Sequence, residues 1–275
     1  MNRARKFHVV VNHFLRDGAW DGDLERAFGR LVAAAAATRS VSVSITLAAD
    51  DADVPDFESR VGDAARVRAL PPGGRLPRLA DILSTLDGAS DAPGAYAVYL
   101  NSDINVPSWF FEFLAMNLAP FDDHDRDALI VNRKDQLTAL DQDPTAPEAR
   151  FRVHPGYDAF VFPVATLSRM QLGEVTIGLV PVGSLLALNL HQLHPGLKVL
   201  KDAFVTWHEG DGRGSPWNTP EMREANLQNH QRAFDAMERL PGIEALRPPM
   251  FKDSLPGVQR LVNRFRKNRR PDQTP

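Results

Sequence analysis

The sequence predicts an α/β protein in which a mostly parallel sheet is covered on both faces by helices, a three-layer α/β/α arrangement. Three observations carry this. From Lys6 to Arg133 short apolar segments alternate with helical patterns. The apolar segments are rich in Val and scarcely interrupted, as parallel strands buried on both faces are. The chain has 275 residues, 43% of them apolar, enough for a substantial core in one large domain or two small ones.

The first strand is expected at "FHVVVNHF" (7–14). A basic start precedes it, but His8, Asn12 and His13 interrupt the apolar run and no small-residue cleavage site follows, so it reads as a strand rather than a leader. "DGDLERAFGRLVAAAAA" (21–37) has helical periodicity, "SVSVSITLA" (40–48) and "RVRAL" (66–70) read as strands, and "LPRLADILSTLD" (76–87) as a helix. The strand "AYAVYLN" (95–101), the aromatic helix "VPSWFFEFLAMNL" (106–118) and the strand "DALIVNR" (127–133) complete the regular half.

Beyond Lys134 the rhythm loosens. "QLTALDQDPTAPEARFRVHPGYD" reads as a long connection, a length that in compact domains is functional or mobile. "DAFVFP" and "VTIGL" resemble short strands, "GSLLALNLHQL" a helix and "DAFVTWH" a further strand. After the Gly-rich stretch "EGDGRGSPWN", Thr219 as N-cap, Pro220 in the first helical position and Glu221 and Glu224 in the first turns open a helix. The terminal "LPGVQRLVNRFRKNRRPDQTP" sets Arg260, Arg264, Arg266, Lys267, Arg269 and Arg270 around Val258, Leu261, Val262 and Phe265. Such a segment can lie on an anionic membrane, dock on the domain, or stand as a solvated helix with a frayed tail. With no repeat and no clean linker, the expected organisation is one domain over 1–240, with halves 1–133 and 134–240, and a basic extension over 241–275.

A net charge of −3 with pI near 6.2 provides no positive field to gather nucleic acid. The absence of cysteine excludes disulfides and thiolate catalysis, leaves any metal to O and N ligands, and fits a reducing compartment. No apolar run reaches the ~18 residues of a membrane span, so a cytoplasmic location is expected. No GxxxxGK[ST], GxGxxG, GxSxG or HExxH pattern is present, which takes most of the support from kinase-type, Rossmann-dehydrogenase, α/β-hydrolase and zincin chemistry.

Several polar positions stand at strand ends. Asn101, Ser102 and Asp103 follow "YAVYL"; Asp103 can bind a hard cation and its neighbours can donate hydrogen bonds, yet the same triplet is turn and cap material. His208, Glu209 and Asp211 are metal-ligand or phosphate-neighbour types, or a packed His beside a turn, while Gly212-Arg213-Gly214 permits close approach to a phosphate. In "HPGYDAFVFP" the turn at Pro155-Gly156 leaves His154 and Asp158 at a strand mouth, where burial would raise the carboxyl pKa toward a general base's range. Arg133 ends the fifth strand, as a phosphate clamp or a surface ion pair.

The order "YLNSDI", "IVNR", "HPGYDAFVF", "TIGLVPVGSLL", "VTWHEGD…W" resembles the bacterial nucleotide-diphospho-sugar transferases of GT-A fold, from about Lys6 to Asn226. The resemblance implies a hexosyltransferase-type glycosyltransferase that moves a sugar from a nucleotide-sugar donor to a glycan or lipid-linked acceptor; the basic C-terminal helix, outside the resemblance, adds the expectation of peripheral membrane contact. Their Asp-X-Asp element, which holds Mn2+ or Mg2+ against the diphosphate, matches Asn101-Ser102-Asp103, with Asn in the first place; His208 matches a further ligand. The acceptor-side base matches Asp158 best, though the region around Gly183-Ser184, where relatives can carry an acidic residue, offers none, and the assignment stays open. Arg133 and Arg213 would assist the leaving group, and Arg78, Asp81 and the segment Asn12–Arg16 would surround the nucleotide. The missing first carboxylate leaves a sugar-nucleotide binder without turnover as a rival. A nucleotidyltransferase would need a Gly-rich basic loop where "NHFLRDGAWDGD" has only Gly18 and Gly22.

Overall fold

A computed structural model describes residues 5–16, 19–72, 76–86, 88, 94–118, 127–136, 151–154, 156–201, 203–209, 219–247, 251 and 255–268. Strands β1 (Lys6–Asn12), β4 (Ser42–Ala49), β5 (Arg66–Ala69), β6 (Ala95–Leu100), β7 (Leu129–Val131), β10 (Ala159–Pro163) and β11 (Lys198–Leu200) form a sheet in the order β11-β7-β10-β6-β1-β4-β5. β10 runs antiparallel to β6 and β7; the other pairs are parallel. A smaller sheet, ordered β12-β8-β9, joins β8 (Lys134–Gln136), β9 (Phe151–Val153) and β12 (Trp207–Glu209), and β2 (Leu15–Arg16) pairs with β3 (Ala19–Trp20).

Strand alternation splits the core between the faces of the large sheet. Phe7, Val9, Val11, Val98, Leu100 and Val161 face one way, against buried residues of α1 (Gly22–Ala37), α2 (Val54–Val61) and α4 (Phe110–Asn117). Val10, Ala97, Tyr99, Phe160 and Phe162 face the other, against α3 (Leu79–Ser84), α5 (Val182–Leu193), α6 (Pro220–Met237) and α7 (Pro256–Asn268). This is the mostly parallel three-layer fold the βαβ rhythm predicted. The caps follow local chemistry: Asp21 accepts from the Asp23 amide at the start of α1, and Thr219 from the Met222 amide at the start of α6.

Three expectations change. "VTIGL" is not a strand: Thr176 makes a single bridge to Arg78 and is then held by Asn229 of α6, whose side chain accepts from the Thr176 amide and donates to the Thr176 and Val180 carbonyls. "DAFVTWH" yields strand only at Trp207–Glu209, which leaves the main sheet for β8. Of the readings left open for the C-terminal segment, helix α7 takes the docked one. Val258, Leu261, Val262 and Phe265 of α7 are buried in the same cluster as α5 and α6, so its apolar stripe is consumed by the core and only its basic side, with Arg260, Arg264 and Lys267, faces out. Among the described residues, no helix is long and apolar enough to cross a membrane.

Candidate active site

The site grows from the place where the central ladder ends. β6 is wholly buried, and its last apolar pair with β10 is Leu100 opposite Ala159. One step further the Asn101 amide donates to the Asp158 carbonyl (3.1 Å), and the Asn101 side chain donates to Asp158 Oδ1 (2.5 Å). The chain then turns, with the Ile104 amide returning to the Asn101 carbonyl, and Asn105 forms a two-way bridge with Trp207 at 2.8 and 3.1 Å. That bridge brings β12 to the rim. His208 Nε2 thereby stands 3.3 Å from Asp103 Oδ2, with both side chains open to solvent in part, 20% and 35% exposed.

Strand alternation turns Glu209 the opposite way. It binds Arg30 at 2.5 Å and Arg26 at 3.5 Å, while the Arg30 guanidinium also lies over the Trp207 ring and donates to Asn105. Glu209 therefore braces β12 and does not share the face of His208. The same ladder puts Asp135 of β8 opposite His208, on its face.

Behind the rim lies a buried charged group. Arg133 Nε donates to Asp135 Oδ1 at 3.0 Å, and its Nη1 reaches Asp158 Oδ1 at 3.3 Å. Arg133, expected to clamp a donor phosphate, is thus turned inward to bridge two carboxylates. Asp158 Oδ2 is buried and, among the described residues, has no hydrogen-bond partner. Burial pushes the Asp158 carboxyl up to about 6; Arg133 and the Asn101 hydrogen bond pull it down, and the charges of Asp103 and Asp135 add to the rise. His154 is held down to about 4, by burial first and by Arg133 next, so its ring is neutral at pH 7. Burial also raises the Tyr99 phenol, helped by Asp158 and Asp103.

Gly156 explains why this His can sit there. A Cβ at position 156 would lie 2.6 Å from His154 Cε1 and 2.8 Å from Nδ1, so only glycine leaves room for the ring. The Gly156 amide donates to Nδ1 at 2.9 Å, which places the proton of the neutral ring on Nε2. Gly183 is likewise hemmed in: its Cβ would meet the Tyr157 carbonyl at 3.0 Å.

Asn101, Ser102, Asp103, Arg133, Asp158 and His208 therefore converge on one rim. Arg78 is separate; its partners are Asp81 and Glu174, at 2.7 Å each. Asp81 also lines a groove of about 610 Å³ with Asp51, Arg68, Leu70 and Pro72, beyond the carboxyl ends of β4 and β5. Arg213, with Asp211, Gly212 and Gly214, lies outside the described residues. Two residues enter that were not assigned roles from sequence. Asp135 carried no local signal, because its importance comes from the β8–β12 pairing. His154 was legible in the glycine two residues on.

Asp103 and His208 suit a divalent ion in type and spacing, since hard O and imidazole N ligands bound at about 2.1 Å and at right angles sit about 3 Å apart. They make only a third of an octahedral coordination sphere. Asn101 is committed to Asp158, and among the described residues no group of three or more His, Asp or Glu could hold an ion.

The chain is similar to solved glycosyltransferases. S. aureus TarS 1-349 in complex with UDP-GlcNAc superposes with a TM-score of 0.55 at 14% identity, covering 98% of this chain and 76% of that one. The mannosyltransferase PcManGT from Pyrobaculum calidifontis, in complex with GDP-Man and Mn2+, gives 0.53 at 13%, covering 100% and 77%. No protein-family model and no curated protein matches the chain. At these identities the likeness shows the fold, which is GT-A.

Proposed function

We propose that this protein is a glycosyltransferase that moves a sugar from a nucleotide-diphosphate donor to an acceptor hydroxyl. The observation that carries the reading is the contact of Asp103 with His208 at the open carboxyl end of the central sheet, the place where α/β sheets bind ligands. Solved structures of this fold hold UDP-GlcNAc or GDP-Man with Mn2+, which supports a donor of that class.

Breaking the sugar–phosphate bond builds negative charge on the departing nucleoside diphosphate, and stabilising that charge is the largest catalytic demand. Asp103 and His208 would hold Mn2+ or Mg2+, with the donor phosphates and water filling the remaining positions. When bound, such an ion supplies positive charge beside the departing diphosphate. Ser102 lines the same turn. The 610 Å³ groove beside Arg78 and Asp81 is the donor's nucleotide end in this reading, with Arg213 completing the phosphate contacts. Asp158 is the base: the acceptor, on binding, uncovers the buried Oδ2, which has no hydrogen-bond partner among the described residues, and the acceptor proton passes there as the acceptor oxygen attacks. Arg133 and Asn101 hold Oδ1 and so aim Oδ2.

The outward basic side of α7 is proposed to meet a lipid-linked acceptor or anionic membrane by charge alone, since its apolar side is buried. A cysteine-free chain supports a cytoplasmic location. The second reading, a sugar-nucleotide binder without turnover, is favoured by the amide at 101 and the glycine at 183.

The test is thermal stability with a panel of nucleotide sugars, with and without Mn2+, followed by nucleotide release. A ligand that binds the native state raises Tm. The transferase reading expects a donor-specific, metal-dependent rise, lost in Asp103→Ala and kept in the exposed-surface control Asp63→Ala, followed by nucleotide release. A shift without release under every acceptor tried supports the binder, and a response to triphosphates with sugar phosphates supports a nucleotidyltransferase.

A further inference from the structure

Asp158 poses a problem for any base that must turn over. Its side chain is 6% exposed and Oδ2 is sealed from solvent, so a proton received there has no direct exit. The group next to Oδ2 is His154, whose Nδ1 lies 3.8 Å away and whose side chain is 28% exposed. Both facing atoms are acceptors: Oδ2 carries no proton, and Nδ1 uses its lone pair on the Gly156 amide. A proton on Oδ2 can hydrogen-bond to Nδ1 once the Gly156 amide gives up that lone pair and the 3.8 Å gap closes. The glycine whose missing Cβ makes room for the ring shows that the placement is built into the backbone.

Resting on the reading of Asp158 as the acceptor-side base, we propose that His154 carries protons between the enclosed Asp158 carboxylate and solvent. The acceptor O–H bond breaks as the new C–O bond forms, and its proton goes to Asp158 Oδ2. Oδ2 then passes the proton to His154 Nδ1, while the proton already on Nε2 leaves to water. Asp158 is again a carboxylate and His154 again neutral, its tautomer reset by exchange with water. The charged and titratable groups around the pair are Arg133, Asp135, Asp103, His208 and Tyr99. Arg133 disfavours a lasting positive charge on His154, so the ring transmits a proton and does not keep one. The two-unit mismatch between Asp158, pushed up to about 6, and His154, held down to about 4, slows such a transfer by about a hundredfold and does not forbid it.

The first test needs no turnover. The full chain is labelled and titrated by NMR, following the Asp158 carboxyl carbon and the His154 ring nitrogens. A shared proton makes the Asp158 step appear in the His154 trace as well, because coupled groups titrate as a pair. In Asp158→Asn that step vanishes from the His154 trace. A His154 Nδ1 signal that stays still while Asp158 titrates overturns the proposal. The second test uses a donor shown to be turned over. His154→Ala is expected to lower kcat about 10- to 100-fold with donor KM unchanged. Added imidazole restores its rate saturably and leaves the wild type untouched. A slow variant that imidazole does not rescue also overturns the relay, since a merely structural loss would not respond to a diffusing base. A wild-type chain that turns over no donor refutes the transferase reading, and the NMR comparison still decides whether the pair shares its proton.

Discussion

Replacing Asp158 with Asn should make the protein more stable at neutral pH while removing its activity. Burial raises the Asp158 carboxyl from 3.8 to about 6, so the folded chain binds this proton more tightly than the unfolded chain does. The sign follows from linkage: the stability associated with the raised carboxyl is complete below pH 4 and is lost as pH rises through about 6. Two pH units at 1.36 kcal/mol each put the cost of the ionised carboxylate at about 3 kcal/mol above pH 7. Asn is nearly isosteric, carries no charge and can still accept from Asn101 and Arg133 at one oxygen. The variant therefore escapes that cost, and its advantage over wild type should grow with pH. Readings belong above pH 4.5, where His154, held down to about 4, stays neutral. Within pH 4.5 to 8 about 2 of those 3 kcal/mol should develop. The assay is urea unfolding of both proteins across that range, compared as differences so that all other titrations cancel. A difference that is flat with pH, or that falls as pH rises, refutes the argument that Asp158 is held ionised at a cost within the fold.

Phe265→Ala should cost about 3 to 5 kcal/mol, as large core truncations do, because the ring is 3% exposed within the main cluster; a loss under 1 kcal/mol by urea unfolding would mean α7 is only appended. Asn229→Ala strips partners from the Thr176 amide and the Thr176 and Val180 carbonyls, and should cost about 2 to 4 kcal/mol, with faster hydrogen exchange confined to residues 176–180. Gly183→Asp, which places a carboxylate where the chain has none, should lower Tm because its Cβ meets the Tyr157 carbonyl at 3.0 Å; a gain in both Tm and turnover would show that position 158 is not the base. Trp20→Phe leaves the buried Nδ1 of His13 without its 2.9 Å donor and should cost about 1 to 3 kcal/mol in the same unfolding assay.

What the sequence determined by itself was the framework and the rim. Val-rich segments alternating with amphipathic ones can bury their apolar surface only as a covered parallel sheet, because period and composition act locally. The polar break after Leu100 likewise had to fall at a strand end. The tertiary structure alone decided which polar residues meet there. The pairing of Asn105 with Trp207 brings His208 to Asp103, and the turn inward of Arg133 depends on Asp135, a residue whose role comes from its partner strand. The fate of the basic terminal helix was equally unreadable, since an amphipathic stripe fits a bilayer, water's edge or a neighbouring helix alike. It was settled by the apolar surface that α5 and α6 leave open to it, and the choice of surface is a property of the whole chain, not of thirteen residues.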